Sequence, residues 1–242
     1  MLQIENLHKK FGGLTVMDGL DLNVAKGETR CIIGPNGTGK TTLFNLITGR
    51  IKPDSGEINI GGRNVVSRRI YEIARLGVSR KFQSPTIFGD LSVEDNLIIA
   101  AMGRRRLNDL IFSRRHGADS RIEEILEKLE FGELRNQRSG DLSHGQRQWL
   151  EIGMVLLNDP DLILLDEPTA GMTLAETART ADLIRQVLQG KTTLVIEHDI
   201  AFVRRLEAPV TVLFRGKVMR EGSFEEIAED EQVRRIYLGE NP

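Results

Sequence analysis

The chain has 242 residues, with 33 basic and 35 acidic side chains, a formal net charge of -2, and hydrophobic and charged fractions of 40% and 28%. This suits one large domain with an ample core and excludes a disordered or fibrous chain; the near-neutral balance offers no global field to attract nucleic acid. The longest apolar run, Leu97 to Met102, is far below the roughly 20 residues needed to cross a bilayer, and Met1-Leu2-Gln3-Ile4-Glu5 lacks a leader pattern, so a cytosolic chain is the expectation.

Over the first 65 residues the pattern predicts short strands and turns. Leu20, Leu22 and Val24 alternate, as do Ile58 and Ile60 before Gly61-Gly62, which reads as antiparallel sheet. Thr29 to Ile33 reads as a buried strand, with Cys31 in the core rather than a reactive thiol. Lys40 to Thr48 places Leu43, Phe44, Leu46 and Ile47 at helical spacing and stops at Gly49.

Between that strand and that helix lies Gly34-Pro35-Asn36-Gly37-Thr38-Gly39-Lys40-Thr41, which fits the phosphate-binding loop pattern at each fixed position. Glycines let backbone N–H groups converge on phosphates, and the helix N-terminus adds its dipole. Lys40 is expected to reach the terminal phosphates and Thr41 to offer its hydroxyl to Mg²⁺, with Thr42 completing the nucleotide-binding set.

From about Leu91 to Leu157 the period becomes helical. Ser120-Arg121-Ile122-Glu123 reads as a capping box, and Ile122, Ile125, Leu126 and Leu129 line one face. The expectation is a single domain over residues 1–242, with a helical subdomain of about 84–157 inserted in its core. Arg104-Arg105-Arg106 and Arg114-Arg115 form a basic cluster, read first as a solvated face and second as a contact for a partner or lipid headgroups.

Leu162 to Leu165 is an apolar strand, followed by a helix near Ala175 to Leu188 and a strand Thr192 to Ile196, the alternation of a parallel sheet. Val210 to Phe214 and Lys217 to Arg220 read as a hairpin across Arg215-Gly216, and Glu225 to Glu231 is acidic and amphipathic. The strand before Asp166-Glu167 delivers two carboxylates at its C-terminal end, where parallel sheets bind ligands. Asp166 suits Mg²⁺ held through water, and Glu167 suits a base that polarises the water attacking a γ-phosphate.

Leu142-Ser143-His144-Gly145-Gln146 resembles the Leu-Ser-Gly-Gly-Gln signature of ABC ATPases, and the resemblance extends in order over essentially the whole chain. It implies an α/β P-loop NTPase core with an antiparallel β subdomain and a helical insertion, using ATP and Mg²⁺. It implies that Phe11 stacks on adenine, that Gln83 touches Mg²⁺ and links the core to the insertion, and that His198 contacts the γ-phosphate and the water of Glu167. Ser143, Gly145 and Gln146 would open a helix facing the nucleotide of a second ABC ATPase subunit, identical or different, so each site would need two chains. The implied partners are transmembrane permease subunits, with peripheral association at the cytoplasmic face of the inner membrane and no nucleic acid.

Two positions depart from the family pattern: His144 stands where the first signature glycine is usual, and Ala170-Gly171-Met172-Thr173 lacks the aspartate many such loops carry. Replacing His144 by glycine is expected to be tolerated, because the phosphate contacts there are expected from Ser143, backbone amides and the helix dipole. Both departures, with Trp149-Leu150-Glu151-Ile152-Gly153-Met154, resemble the urea-transporter ATPase branch of the branched-chain amino-acid group. Phe11-Gly12-Gly13-Leu14, Glu197-His198-Asp199 and Tyr237-Leu238-Gly239-Glu240 resemble that group as a whole. The implied solute is urea; branched-chain amino-acid uptake and lipopolysaccharide export are the runners-up, and a non-transport ABC clamp lies further off.

Overall fold

The computed structural model describes residues 1–81, 87–102 and 116–238. The helices and strands used below are β1 (Leu2–Phe11), β2 (Leu14–Val24), β3 (Thr29–Ile33), α1 (Lys40–Ile47), β4 (Ser55–Ile60), β5 (Arg63–Asn64), α2 (Ile70–Arg75), β6 (Val78–Lys81), α3 (Val93–Met102), α4 (His116–Lys128) and α5 (His144–Leu156). The chain continues through β7 (Leu162–Asp166), α6 (Leu174–Val187), β8 (Thr192–Ile196), α7 (Ile200–Leu206), β9 (Val210–Phe214), β10 (Lys217–Gly222), α8 (Phe224–Glu229) and α9 (Glu231–Leu238).

Two sheets form. An antiparallel one has the order β2-β1-β4-β5, and a six-stranded one has the order β10-β9-β3-β8-β7-β6. In the second, β9, β3, β8, β7 and β6 run parallel and only β10 is antiparallel. Successive side chains of a strand point to opposite faces, and here each face finds its own core. Ile32, Leu162, Leu164, Leu194 and Ile196 pack with Leu43, Phe44 and the inner face of the antiparallel sheet. Cys31, Ile33, Ile163, Leu165 and Val195 pack on the other side with apolar residues of α3 to α7. Burial on both faces explains why β7 reads as a continuous apolar run and why β8 buries even Thr192 and Thr193.

Several expectations change. β1 and β2 are not short: they span 10 and 11 residues, and bulges around Leu7 to Lys10 carry the pairing past a polar stretch that hides the alternation. Ser120 does not cap a helix, because α4 begins at His116 and Ser120 lies inside it; a Ser-x-x-Glu pattern marks a start only where no helix precedes it. β6 escaped the pattern, since Ser79, Arg80 and Lys81 leave it little apolar character. The helix read near Ala175 to Leu188 is α6, and the hairpin across Arg215-Gly216 is present with its second strand running on to Gly222. Cys31 is fully buried, and burial beside the charge of Glu197 pushes its thiol far above the usual range. The arginine cluster of residues 104–106 and 114–115 lies outside the described residues. Among the described residues, no helix is long and apolar enough to cross a membrane.

Candidate nucleotide site

The site collects at the C-terminal ends of β3, β7 and β8, three neighbours in the sheet. β3 hands the chain to the phosphate loop, and two glycines make its path possible. A Cβ at Gly34 would lie 2.2 Å from Leu213 O, and one at Gly39, where φ is +99°, would lie 2.5 Å from Met17 Cε. Thr38 Oγ1 donates to Pro35 O at 3.0 Å. Lys40 Nζ donates to Gly34 O at 2.6 Å and Pro35 O at 3.0 Å. Burial pushes the Lys40 pKa down, while the nearby charges of Glu167 and Asp166 oppose that shift. Asn36, Gly37, Gly39, Lys40, Thr41 and Thr42 line an open cleft of about 250 Å³ together with Val16, Glu167 and Phe11. The Phe11 ring is half exposed, with Lys9 Nζ 5.5 Å from its centroid.

Asp166 ends β7 with a fully buried side chain. Its Oδ2 accepts from Arg80 Nη2 at 2.7 Å, whereas its Oδ1 is buried without a hydrogen-bond partner among the described residues. Arg80 also donates from Nη1 to Asn45 Oδ1 at 2.7 Å and lies 5.4 Å from the centroid of Phe44, so β6 is tied to both α1 and β7. Glu167 follows with φ at +48°, uncommon for a residue with a Cβ, and its N–H donates to Ile196 O at 2.9 Å. That turn leaves the carboxylate partly exposed, 3.6 Å from His198 Nδ1.

Glu197, next to His198, has no exposed side-chain surface. Its Oε1 accepts from Thr169 N at 2.9 Å and Thr169 Oγ1 at 2.6 Å, and its Oε2 from His198 N at 3.0 Å and Asp199 N at 3.4 Å. One carboxylate therefore fastens the segment after Glu167 to the segment carrying His198. Sequence reasoning assigned it no role; the available signal was a carboxylate directly after an apolar strand and directly before a histidine. Arg80 gave no such signal. Nor did Lys81, whose Nζ lies 3.4 Å from Glu151 Oε2 on α5 with both side chains nearly inaccessible.

The signature residues open α5. Ser143 Oγ accepts from Gln146 N at 3.2 Å and Ser143 N donates to Gln146 Oε1 at 2.9 Å, a reciprocal cap. Gly145 is buried against Glu176 of α6. His144 Nε2 lies 2.8 Å from Ala170 O. Thr173, at the position that departs from the family's aspartate, still caps α6: its Oγ1 accepts from Glu176 N at 3.3 Å. Gln83 lies outside the described residues. Beyond it, Phe88 N donates to Asn96 Oδ1 at 2.7 Å, and Asn96 is itself buried.

The ABC transporter family model matches residues 17–170. The probable branched-chain amino acid transport ATP-binding protein LivG of Methanocaldococcus jannaschii is 34% identical over 254 residues, covering 99% of this chain and 98% of that protein. The high-affinity branched-chain amino acid transport ATP-binding protein BraF of Pseudomonas aeruginosa is 33% identical over 250 residues, with the same coverage. Among solved structures, an ATP-binding cassette of an ABC transporter in its ADP conformation superposes with a TM-score of 0.83 at 32% identity, covering 99% of this chain and 98% of that one. A dimeric cassette in a post-hydrolysis state, bound to ADP and Pi, gives 0.73 at 27% identity, covering 93% and 99%. Agreement over nearly the full length, in sequence and in fold, places the chain in the ABC transporter family, as an ATP-binding subunit of the ATPases coupled to transport.

Proposed function

We propose that the chain binds MgATP in the cleft around Lys40, pairs with a second cassette, and drives permease subunits of an importer for branched-chain amino acids. The observation that carries the nucleotide chemistry is the convergence of Lys40, Glu167 and His198 beyond adjacent strand ends, beside a buried oxygen of Asp166 that has no partner among the described residues. The solute reading moves from urea to its runner-up, because both relatives named above carry branched-chain amino-acid names at nearly full coverage.

Lys40, held by two carbonyls of its own loop, turns its ammonium to the terminal phosphates when they enter. The loop amides and the start of α1 receive the remaining phosphate charge. Phe11 offers its exposed face to the adenine. Glu167 takes the proton of the attacking water, and His198 holds that carboxylate and the γ-phosphate in register. The residues fit Mg²⁺: Asp166 keeps a buried oxygen without a partner among the described residues, and no group of three His, Cys, Asp or Glu there could hold an ion by itself, so the ion would be held by Thr41, by Asp166 through water and by the phosphates, with Gln83 as the further contact. Bound there, Mg²⁺ would neutralise charge developing on the phosphate oxygens.

Ser143, Gly145 and Gln146 serve the nucleotide of the second cassette, identical or different. The helices between β6 and β7 act as a subdomain that passes closure to the permeases, with the assembly at the cytoplasmic face of the membrane. The test is genetic: delete the gene in its host and measure uptake of labelled leucine and labelled urea at low external concentration. Loss of leucine uptake alone is expected; loss of urea uptake with leucine intact would restore the urea reading.

A further inference from the structure

The two departures from the family pattern, His144 and Thr173, turn out to be neighbours in space. His144 Nε2 lies 2.8 Å from Ala170 O. A carbonyl only accepts, so this ring nitrogen carries the hydrogen. A Cβ added at Gly171, whose φ is +78°, would sit 3.4 Å from the same nitrogen, so the ring lies close against the loop.

A second contact crosses the same gap. Glu176 Oε2 accepts from Thr173 N at 3.0 Å and from Thr173 Oγ1 at 2.9 Å. The carboxylate also reaches α5, where a Cβ at Gly145 would lie 2.9 Å from Oε1. These bonds from Thr173, with smaller effects from the Gly145 amide and from His144, hold the Glu176 carboxyl below its usual range. One carboxylate thus lies beside the N-termini of two helices, where negative charge is favoured.

The departures complement each other. Glycine at position 144 has no side chain to reach Ala170. Aspartate at position 173 would set a second negative charge beside Glu176, whereas threonine caps α6 without one.

We propose that His144 and Glu176 are positioning residues that clasp the signature turn to the Ala170–Thr173 loop of the same chain, so that the face offered to the second cassette's nucleotide is preassembled. The consequence for hydrolysis rests on the two-chain reading above; the clasp itself does not. Two measurements separate them.

The first is hydrogen exchange on the nucleotide-free full-length chain. His144→Gly removes the donor, and peptides covering residues 169–174 should exchange about two- to tenfold faster, the range for one lost neutral hydrogen bond. His144→Gln, with an amide donor at similar reach, should restore most of the protection. Glu176→Ala should speed exchange at both Gly145 and Thr173, and Glu176→Gln less so because it keeps an acceptor. Unchanged exchange in His144→Gly and Glu176→Ala would overturn the clasp.

The second is ATP-driven pairing in a Glu167→Gln background, read by gel filtration. His144→Gly and Glu176→Ala should raise the MgATP concentration for half-maximal pairing about two- to tenfold, with His144→Gln close to the parent. An unchanged concentration would overturn the preassembly role. If the parent itself stays monomeric, the two-chain reading fails while the exchange result still decides the clasp.

Discussion

Arg80 and Asp166 form an ion pair at 2.7 Å in which both side chains are almost wholly withdrawn from solvent, and it leaves the second oxygen of Asp166 without a partner among the described residues. Breaking such a pair from one side strands a buried charge, which costs far more than the pair's net contribution to stability. Arg80→Met is therefore expected to destabilise the chain by about 3 kcal/mol or more, read as a lower urea midpoint with an unchanged slope. A midpoint equal to wild type would show that Asp166 does not depend on Arg80.

Glu197 accepts hydrogen bonds at both oxygens, from Thr169 on one side and from His198 and Asp199 on the other. In Glu197→Gln the amide nitrogen must replace one of these oxygens and face an N–H. A loss of about 1–3 kcal/mol in stability and a clear fall in ATP turnover of the assembled complex are expected, because Thr169 and His198 lose their common anchor. Wild-type melting temperature together with wild-type turnover would remove Glu197 from the positioning set.

Lys40→Ala and Glu167→Gln should fail at different stages. The first takes from the loop the charge that meets the terminal phosphates, so nucleotide binding or hydrolysis is lost while the fold, whose two apolar clusters do not include Lys40, survives. The second keeps a side chain able to orient water but unable to take its proton, so binding persists, turnover nearly stops, and a closed pair accumulates with MgATP. Equilibrium binding and single-turnover assays on the two variants separate these outcomes. Wild-type hydrolysis by Lys40→Ala, or a monomeric Glu167→Gln that still turns over, would contradict the assignments.

How much of this was legible in sequence follows from how far apart the interacting residues lie. The phosphate loop, the carboxylates ending β7 and the cap at Ser143 are contiguous patterns whose physics is local, and the structure forms the expected strand–loop–helix and strand ends. Glu197 with Thr169, and Arg80 with Asp166, are separated by 28 and 86 residues, so no window of sequence contains either relationship. His144 carries no local signal of its contact, because Ala170 is 26 residues away. The misread at Ser120 has the opposite cause: a short local pattern was satisfied, but the helix had already begun at His116.

The order of strands gives the sheet unequal anchorage. β3, which carries the phosphate loop, is bonded along both edges, to β8 and to β9, and cannot open without parting the sheet. Among the described residues β6 is the last strand on its side, paired only with β7, and it carries Arg80 and Lys81 toward the segment that leads to α3. Local opening draws on whichever elements have the fewest bonds to break. Displacement of the helices beyond β6 can therefore be accommodated at the sheet's margin by rearranging the contacts of Arg80 and Lys81, while the backbone cradle around Lys40 keeps its shape.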